Sequence, residues 1–580
     1  MSASNKGEGA DVPPPYVPHP RYLPEGGEVR QGWEPAVAGL PEGTLVLAVD
    51  GPAIADWDLA VEHLAAAWRS RDVAVRSVST QGLFLPWEEV LAATTTAELA
   101  DDPDFAKLPA GSLADLAAGG DQIRAQLSDR SSAWIVYGPG AALLPHDVLW
   151  YADLPKRFAE EAVGRDGARN LAQPEGSGPG STKRLFFVDW PLLDRHRDAV
   201  SGTLSRWIDL RDPVRPASLD GEMLRHTLAR LAQEPFRTLP TFNTSPWGGH
   251  WAQRVLGHNK EARNTALGYE LIAPESGVLI GDGTASVEIP FSLMVARHPR
   301  EVLGDRAHAA FGTSFPVRFD YLDTADGGNL SVHCHPQADY MRDVFGWPYT
   351  QHETYYVVVG DPGNKIFLGL KPAADIEQFT AEAHAAESDG RSFDIEQYVQ
   401  TFPATPHQLF LIPAGTPHGS GVGNVVLEVS ATPYLYSLRF YDWLRRDQDG
   451  NQRRTHVAHA FHNLNLERAG ARVGKELVQE PSVIRQSDGW HEELLGGLPE
   501  MFFEVRRMVL TGAAPAPDDT QDGFHVLNVV DGAGAELETA SGHRHAVNCF
   551  ETLLVPAAVG PYRLRTRDGR PTRIVKAVVR

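Results

Sequence analysis

The chain has few cysteines and fewer positive than negative charges. Its 580 residues include only Cys334 and Cys549, which excludes a disulfide framework and a cysteine-rich zinc site. Lysine and arginine number 53 against 75 acidic residues, a formal net charge of −22 at pH 7. A protein of this charge repels phosphate backbones, so nucleic acid is not an expected partner.

Long apolar runs are missing as well. No run approaches the ~18 apolar residues that a membrane span requires. The N-terminal segment MSASNKGEGADVPPPYVPHPRY has no apolar core of the kind found in secretory signals. We therefore expect a cytoplasmic protein with no membrane partner. The length predicts several domains, and 42% hydrophobic residues are ordinary for a globular chain.

The first third of the chain alternates strand-like and helix-like segments. Residues 1–31 are polar and contain three consecutive prolines, which predicts a flexible tail. Residues 32–235 are predicted to form an α/β domain with a mainly parallel sheet. The strand-like runs cover 44–50, 73–79, 131–140 and 184–190, and helix-like stretches include 57–69, 112–128 and 154–163.

From about residue 236 the pattern changes to short β-rich runs separated by turns, which predicts an all-β fold. Residues 236–440 form the first predicted β-domain, with an acidic, alanine-rich helical insertion near 372–402. Residues 441–495 are polar and are predicted to be a connector. Residues 496–580 repeat the texture of the first β-domain and are predicted to be a second, related module.

The strand-turn-helix that begins with TLVLAVD occupies the place of a phosphate-binding loop. Aligned on Gly51, the pattern GxxxxGK[ST] meets Asp56, Trp57 and Asp58 where it needs glycine, lysine and a hydroxyl residue. Carboxylates cannot replace the groups that contact the phosphates and Mg²⁺, so no nucleotide binding is expected. The opening VLAVDGP resembles the uridine kinase branch of P-loop kinases over about residues 41–235. This resemblance implies a degenerate kinase-like domain.

A second set of residues has the spacing of a metal site. His333 and His335 stand two apart in a strand-like run, so both imidazoles lie on one face. Glu353 opens the next apolar strand, and His418 ends a P-x-G-x-x-H pattern. Together they provide three nitrogen donors and one oxygen donor for a divalent metal. By the same alternation Cys334 points away from the metal, into the core.

These two motifs resemble the two cupin motifs, and the neighbouring segments sharpen the resemblance. LSVHCHPQADY, QHETYYVV, LIPAGTPHGSGVGNVVLEVS and YSLRFYDW are similar, in collinear order, to segments of class I (zinc-dependent) mannose-6-phosphate isomerases. SPWGGHWAQRVLG and ETLLVPAAVGPYRL extend the match to about residues 240–580. The resemblance implies a double cupin and one Zn²⁺ per chain. It also implies interconversion of mannose 6-phosphate and fructose 6-phosphate through a cis-enediolate.

The resemblance also implies roles for individual residues. The four zinc ligands fall on His333, His335, Glu353 and His418, and His333 stands where the family has glutamine. The catalytic arginine falls on Arg439, and Glu428 lies behind the zinc-site strand as a candidate substrate-binding residue. The lysine expected two positions before the metal glutamate is Gln351, a second candidate substrate-binding residue. That departure leaves open whether the sugar substrate is phosphorylated.

Isomerisation requires a general base near C1 and C2 of the sugar. His352 and Asp442 are candidates by position, and structural support is the alternative role for both. Two other functions stay open: a non-catalytic sugar sensor or scaffold, and another metallo-cupin enzyme such as an Fe(II) oxygenase. Either a sugar phosphate or a second copy of the chain, forming a homodimer, is a compatible partner.

The C-terminal module contains an incomplete copy of the metal motif. His543, His545 and Glu551 repeat the order of ligand types, but PAAVGPY follows with no histidine equivalent to His418. We therefore expect this module to be a degenerate cupin with a structural role.

Overall fold

A seven-stranded sheet is the centre of the first unit in the computed structural model, which describes residues 16–164, 168–447 and 450–580. The strands lie in the order Arg30–Gln31, Ala217–Asp220, Arg206–Asp209, Val148–Asp153, Val46–Asp50, Ala133–Tyr137 and Val75–Ser79. The last five of these are mutually parallel, and the first two are antiparallel additions at one edge. The helices of this α/β unit include Trp33–Val37, Trp57–Arg69, Trp87–Thr94, Asp121–Leu127, Lys156–Gly164, Trp190–Val200 and Gly221–Leu231.

The helix Trp57–Arg69 follows directly from its sequence. Asp56 caps it by accepting a hydrogen bond from the Leu59 amide at 3.2 Å, which satisfies one of the free N–H groups of the first turn. Leu64 and Trp68, four residues apart, are almost completely buried on its inner face.

The predicted strand at 184–190 is wrong. Thr182–Arg184, Leu185–Asp189 and Trp190–Val200 are consecutive helical segments, and Ser181 caps their start by accepting from the Arg184 amide. A short apolar run has no periodicity that separates a buried strand from a buried helix. The sheet instead uses Val148–Asp153 and Arg206–Asp209, which the sequence analysis missed.

The first β-module consists of two facing sheets. One contains Leu409–Ile412, Glu353–Val359, Val425–Ala431, Val317–Asp323, Leu267–Leu271 and Thr241–Asn243 in spatial order. The other contains Val399–Pro403, Lys365–Leu370, His418–Ser420, Val332–Cys334 and Leu438–Tyr441. The predicted helical insertion forms the helix Ile376–Asp389. Shorter helices around the module are Phe291–Arg297, Pro299–Leu303, Asp305–Phe311, Ala338–Tyr340, Val457–Asn463 and Ala471–Leu477.

The C-terminal module also has two sheets. The first contains Ser482–Ser487, Trp490–Gly496, Phe503–Leu510, Thr572–Val579, His525–Asp531 and Thr552–Val555, and the second Ala516–Asp519, Pro561–Thr566, Ala535–Thr539 and Arg544–Val547. Its first two strands fall within residues 441–495. That stretch is therefore more than a connector. The strands were not predicted because polar residues on these half-exposed strands at the sheet edge obscure the alternation of polar and apolar residues.

The segment that starts at residue 16 is part of the folded structure. Arg21–Tyr22 pairs in parallel with Gly277–Gly281, which also pairs with Ser286–Pro290. Tyr16 is buried, and the Val17 amide donates to Glu551 at 2.7 Å. The predicted flexible tail is thus wrong for residues 16–31, while residues 1–15 lie outside the described residues.

The prediction of a multidomain, β-rich chain is confirmed, and the units share one core. A single contiguous group of buried apolar side chains includes Val46 of the α/β unit, Phe319 of the first β-module and Val575 of the C-terminal module. Among the described residues, no helix is long and apolar enough to cross a membrane.

Candidate metal centre

The structure brings His333, His335, Glu353 and His418 together inside the first β-module. His333 and His335 project from the strand Val332–Cys334 and the residue after it. His333 lies opposite His418 on one neighbouring strand and opposite Arg439 on the other. Opposed residues of antiparallel strands point to the same face, so these side chains share the module interior. Cys334 faces the other way, into an apolar cluster.

The four side chains are close enough to bind one ion. One potential ligand atom from each residue lies within 4.8 Å of all the others. The Nε2 atom of His335 is 2.5 Å from Glu353 Oε2, and His418 Nε2 is 3.6 Å from Glu353 Oε1. The ring centroids of His333 and His418 are 4.3 Å apart. All four residues are at least 95% buried.

Backbone carbonyls fix the orientation of each imidazole. The Nδ1 atoms of His333, His335 and His418 are hydrogen-bonded to the carbonyls of Ser331, Tyr436 and Thr416, at 2.9, 3.3 and 2.9 Å. A carbonyl can only accept, so each Nδ1 carries a proton and each Nε2 points into the cluster, where that of His335 is hydrogen-bonded to Glu353 Oε2. The three histidines are therefore set in the tautomer that presents Nε2 to the cluster.

The turn before His418 depends on one glycine. Gly415 has a φ of 79°, and a Cβ there would lie 2.6 Å from the Asn463 carbonyl oxygen. Its amide donates to the His335 carbonyl at 2.9 Å, which links the two halves of the cluster. An L-residue at this position would strain the backbone and collide with Asn463.

The charge state of the cluster suits a cation. Burial lowers the pKa of His333 well below its usual range, and the two other imidazoles add to the shift. Burial opposes ionisation of Glu353, yet His335 and His418 outweigh it and hold its pKa well below the usual value. Glu353 Oε1 and His418 Nε2 are buried without a hydrogen-bond partner. Unsatisfied buried donor and acceptor atoms are costly, and a divalent metal such as zinc would satisfy both.

A network of charged side chains lies beside Glu353 on the same face of the sheet. Arg318 forms an ion pair with Glu428, whose carboxylate also accepts from Ser430 at 2.7 Å. Asp320 lies opposite Glu428 across the sheet, and burial raises the pKa of Asp320 to about 7. Glu428 is thus held by Arg318 and Ser430 on the strand beside Glu353.

Both candidate bases have partners within the fold. His352 Nδ1 accepts from the Ala414 amide at 3.2 Å, and burial lowers the pKa of His352 to about 4. The Asp442 carboxylate is paired with Arg445 and Arg453, both at 2.7 Å. Gln351 points into the site, and its amide nitrogen is 3.2 Å from Glu353 Oε2.

Arg439 lies at the mouth of the module. Burial lowers its pKa to about 10, with repulsion from Arg453 adding to the shift, so it stays charged at neutral pH. Its guanidinium donates to the Arg454 carbonyl at 3.0 Å and lines an open pocket beside His456. Residues of the α/β unit line the same pocket.

The C-terminal module has no comparable group of ligands. His543 is 3.3 Å from Glu234, whereas Glu551 is paired with Arg237 at 2.7 Å. Within the described ranges, only the cluster around Glu353 brings three or more potential metal ligands together. Between the sheets of this module Lys576 instead contacts Glu492 and Asp518, each at 2.6 Å.

Sequence reasoning missed the residues that reach the site from elsewhere in the chain. Arg318 lies on a strand in which apolar or aromatic residues alternate with charged ones over VRFDY (317–321), which could have indicated a polar interior. Phe105 and Lys183 come from the α/β unit, and no local pattern connects them with the metal motifs.

Comparison with known proteins divides the chain in two. A family model described as a domain of unknown function (DUF8485) matches residues 32–233. The mannose-6-phosphate isomerase of Streptococcus mutans serotype c is 26% identical over 331 residues, which are 56% of this chain and 93% of that protein. A mannose-6-phosphate isomerase of Bacillus subtilis strain 168 is 22% identical over 342 residues, 58% of this chain and 96% of that protein.

Solved structures of the same enzymes cover a similar share of the chain. A mannose 6-phosphate isomerase structure from Bacillus subtilis has a TM-score of 0.49 at 20% identity, covering 59% of this chain and 99% of its own. A zinc-bound mannose 6-phosphate isomerase has a TM-score of 0.45 at 15% identity, covering 60% of this chain and 100% of its own. Over somewhat more than half its length, this chain is therefore similar to mannose-6-phosphate isomerases.

Proposed function

We propose that the chain is a zinc-dependent aldose–ketose isomerase that interconverts mannose 6-phosphate and fructose 6-phosphate. The observation that carries this proposal is the buried set of three histidines and Glu353, with unsatisfied atoms on Glu353 and His418, beside Arg439. The similarity to curated mannose-6-phosphate isomerases supports the same assignment.

The chemistry needs a proton to move between C1 and C2 while negative charge develops on the sugar oxygens. When bound, zinc supplies an electrophile for those oxygens. His333, His335, Glu353 and His418 would hold it, with their lone pairs already aimed inward. Arg439 would add a permanent positive charge from the neighbouring strand. Such preorganised electrostatic contacts are typically worth ~3–4 kcal/mol each.

A coupled assay of mannose 6-phosphate conversion by the zinc-loaded protein tests the proposal. We expect turnover in the wild type and a loss of ~10²–10³-fold in kcat for Arg439→Ala, because one transition-state charge contact is removed. His418→Ala should lose both zinc and activity.

The control is Arg342→Ala, which removes an exposed arginine paired only with Asp339 and Asp343. It should leave turnover unchanged. Zinc binding at one ion per chain without turnover of either sugar phosphate would reject the isomerase.

We infer that the α/β unit is a degenerate kinase-like domain that binds no nucleoside triphosphate. In support, the amides of Gly51, Gly140 and Ala142 all donate to the carboxylate of Asp50, which His196 also contacts at 2.7 Å. The first amide of the loop aligned with a phosphate-binding loop, that of Gly51, is thus occupied by an internal anion, and the Asp50 carboxylate places negative charge beside that loop. Calorimetric titration with ATP·Mg²⁺ should show no saturable heat, and measurable binding would contradict the inference.

A further inference from the structure

An open pocket of about 520 Å³ lies where the α/β unit meets the first β-module. Residues that matter for its chemistry come from both units: Asp104, Phe105, Lys183 and Phe187 from the first, Arg439 and His456 from the second.

One residue that lines the pocket connects it with the metal cluster. Arg439 lies directly opposite His333 on the neighbouring strand. Phe105 and Phe187 contact the ring of Tyr436, with centroid separations of 6.1 and 5.5 Å. The carbonyl of Tyr436 accepts from His335 Nδ1. One residue, Tyr436, therefore separates the α/β unit from the predicted ligand His335, and Arg439 of the pocket lies beside the predicted ligand His333.

The segment of the α/β unit that reaches the pocket is firmly attached to the β-module. The Asp102 carboxylate is 2.7 Å from His459 Nε2. The Leu108 amide donates to the Phe345 carbonyl at 2.9 Å, and Lys107 Nζ donates to the Asp343 carbonyl at 2.7 Å. We call residues 102–108 the bridging segment. Because side-chain and backbone contacts both hold it, its position is defined by the fold.

Two cations line the pocket without a carboxylate partner. Within the described ranges, neither Arg439 nor Lys183 has a carboxylate oxygen within ion-pairing distance. Lys183 Nζ donates to the carbonyls of Leu99 and Asp102, which leaves one of its three N–H bonds. The one acidic side chain of the pocket, Asp104, is paired with Arg454 at 3.1 Å. Arginine and lysine together, with the local acid already paired, are typical of a phosphate site.

We propose that Lys183 binds the phosphate group of the sugar substrate, so that the α/β unit supplies part of the isomerase site. This inference rests on the proposed function. It gives Lys183 the cationic role that Gln351 cannot play, and it explains why a unit with an occupied phosphate turn packs against the mouth of the metal-bearing module.

Lys183→Gln tests the proposal, because an amide can still donate to the Leu99 and Asp102 carbonyls but carries no charge. Lys107→Gln is the matched control: Lys107 also holds a carbonyl across the same interface, yet it does not line the pocket. Lys183→Arg restores the charge. The readouts are KM and kcat in the coupled assay and the Kd of inorganic phosphate by calorimetry.

We expect Lys183→Gln to raise KM and the phosphate Kd by ~10-fold or more with kcat nearly unchanged, since a hydrogen bond to a charged group is lost. Lys107→Gln should change neither, and Lys183→Arg should recover most of the loss. Wild-type KM and Kd in Lys183→Gln, or equal losses in both glutamine variants, would overturn the proposal. If the protein binds phosphate through Lys183 but isomerises no sugar phosphate, the anion site is supported and the proposed function is rejected.

Discussion

In the interior of the C-terminal module, Lys576 neutralises two carboxylates that solvent does not reach. Glu492 and Lys576 are at most 1% exposed, and Asp518 also accepts from the Tyr562 hydroxyl at 3.0 Å. The ammonium occupies the space between two sheets, as the predicted metal does in the first β-module. A buried carboxylate of this kind is costly to remove, because the buried ammonium of Lys576 then loses one of its two anionic partners.

Asp518→Asn should therefore destabilise the protein in a pH-dependent way. Burial opposes ionisation of Asp518, but Lys576 and neighbouring cations outweigh it and lower its pKa to about 2. A lowered folded-state pKa gives stability that is present above the unfolded pKa near ~4 and is lost as the pH falls towards ~2. The difference from wild type should be about 2 kcal/mol at pH 7 and shrink below pH 4.

Thermal unfolding of wild type and variant at several pH values measures this difference. Asp339→Asn is the control, because Asp339 is 87% exposed and should cost less than ~0.5 kcal/mol at any pH. If Asp518→Asn lowers the free energy of unfolding by the same amount at every pH down to 3, that loss is not linked to the lowered pKa of Asp518.

At the scale of elements, the bridging segment connects the packing of the α/β unit with the metal centre. Phe105 is 2% exposed and contacts Phe187, Phe345 and Tyr436. Tyr436 in turn orients His335 through its carbonyl. Phe105, a residue of the α/β unit, thus helps to hold the predicted ligand His335 in place.

Phe105→Ala should weaken zinc binding although no ligand is changed. The cavity would cost ~3–5 kcal/mol locally, and loss of support for a ligand's hydrogen bond typically costs ~10–100-fold in metal affinity. Zinc affinity is measured by competition with a chelator. Phe242→Ala, which removes a ring that packs on His258 far from the cluster, should leave affinity unchanged. If Phe105→Ala and Phe242→Ala bind zinc equally well, the bridging segment does not support the metal centre.

The sequence predicted local patterns well and long-range placement poorly. His333, His335 and His418 were found because strand alternation and a short turn motif put them on one face. The run at 184–190 was assigned to a strand because four apolar residues in succession have no helical period to read. His352 and Asp442 were candidates by position, but only the structure shows their hydrogen-bond partners. Lys183 and Phe105 reach the site through tertiary packing, which no spacing within the chain encodes.

At the scale of the whole molecule, one apolar core runs through all three units. The α/β unit and the C-terminal module also have apolar clusters of their own, and the backbone of Phe236 at the end of the α/β unit pairs with Leu554 of the C-terminal module. A shared core favours cooperative unfolding, because opening one unit exposes apolar surface of the others.

We therefore expect a single unfolding transition in urea, with far-ultraviolet circular dichroism and tryptophan fluorescence giving the same midpoint. The thirteen tryptophans include Trp68 and Trp207 in the α/β unit and Trp490 in the C-terminal module, so fluorescence reports on both ends. Two separated midpoints would mean that the units unfold independently.

The contacts that join Val17, Arg237 and Glu551 have a consequence for synthesis on the ribosome. Val17 donates to Glu551 and accepts from Arg237, and Arg237 is itself paired with Glu551. Ribosomes add ~5–20 residues per second, so the start of the chain waits roughly half a minute to two minutes for its partner to emerge. During that interval the Val17 amide has no Glu551 carboxylate to bind, although the partners of Arg21–Tyr22 and of the Tyr16 ring have already emerged. This contact therefore closes only after residue 551 has left the ribosome.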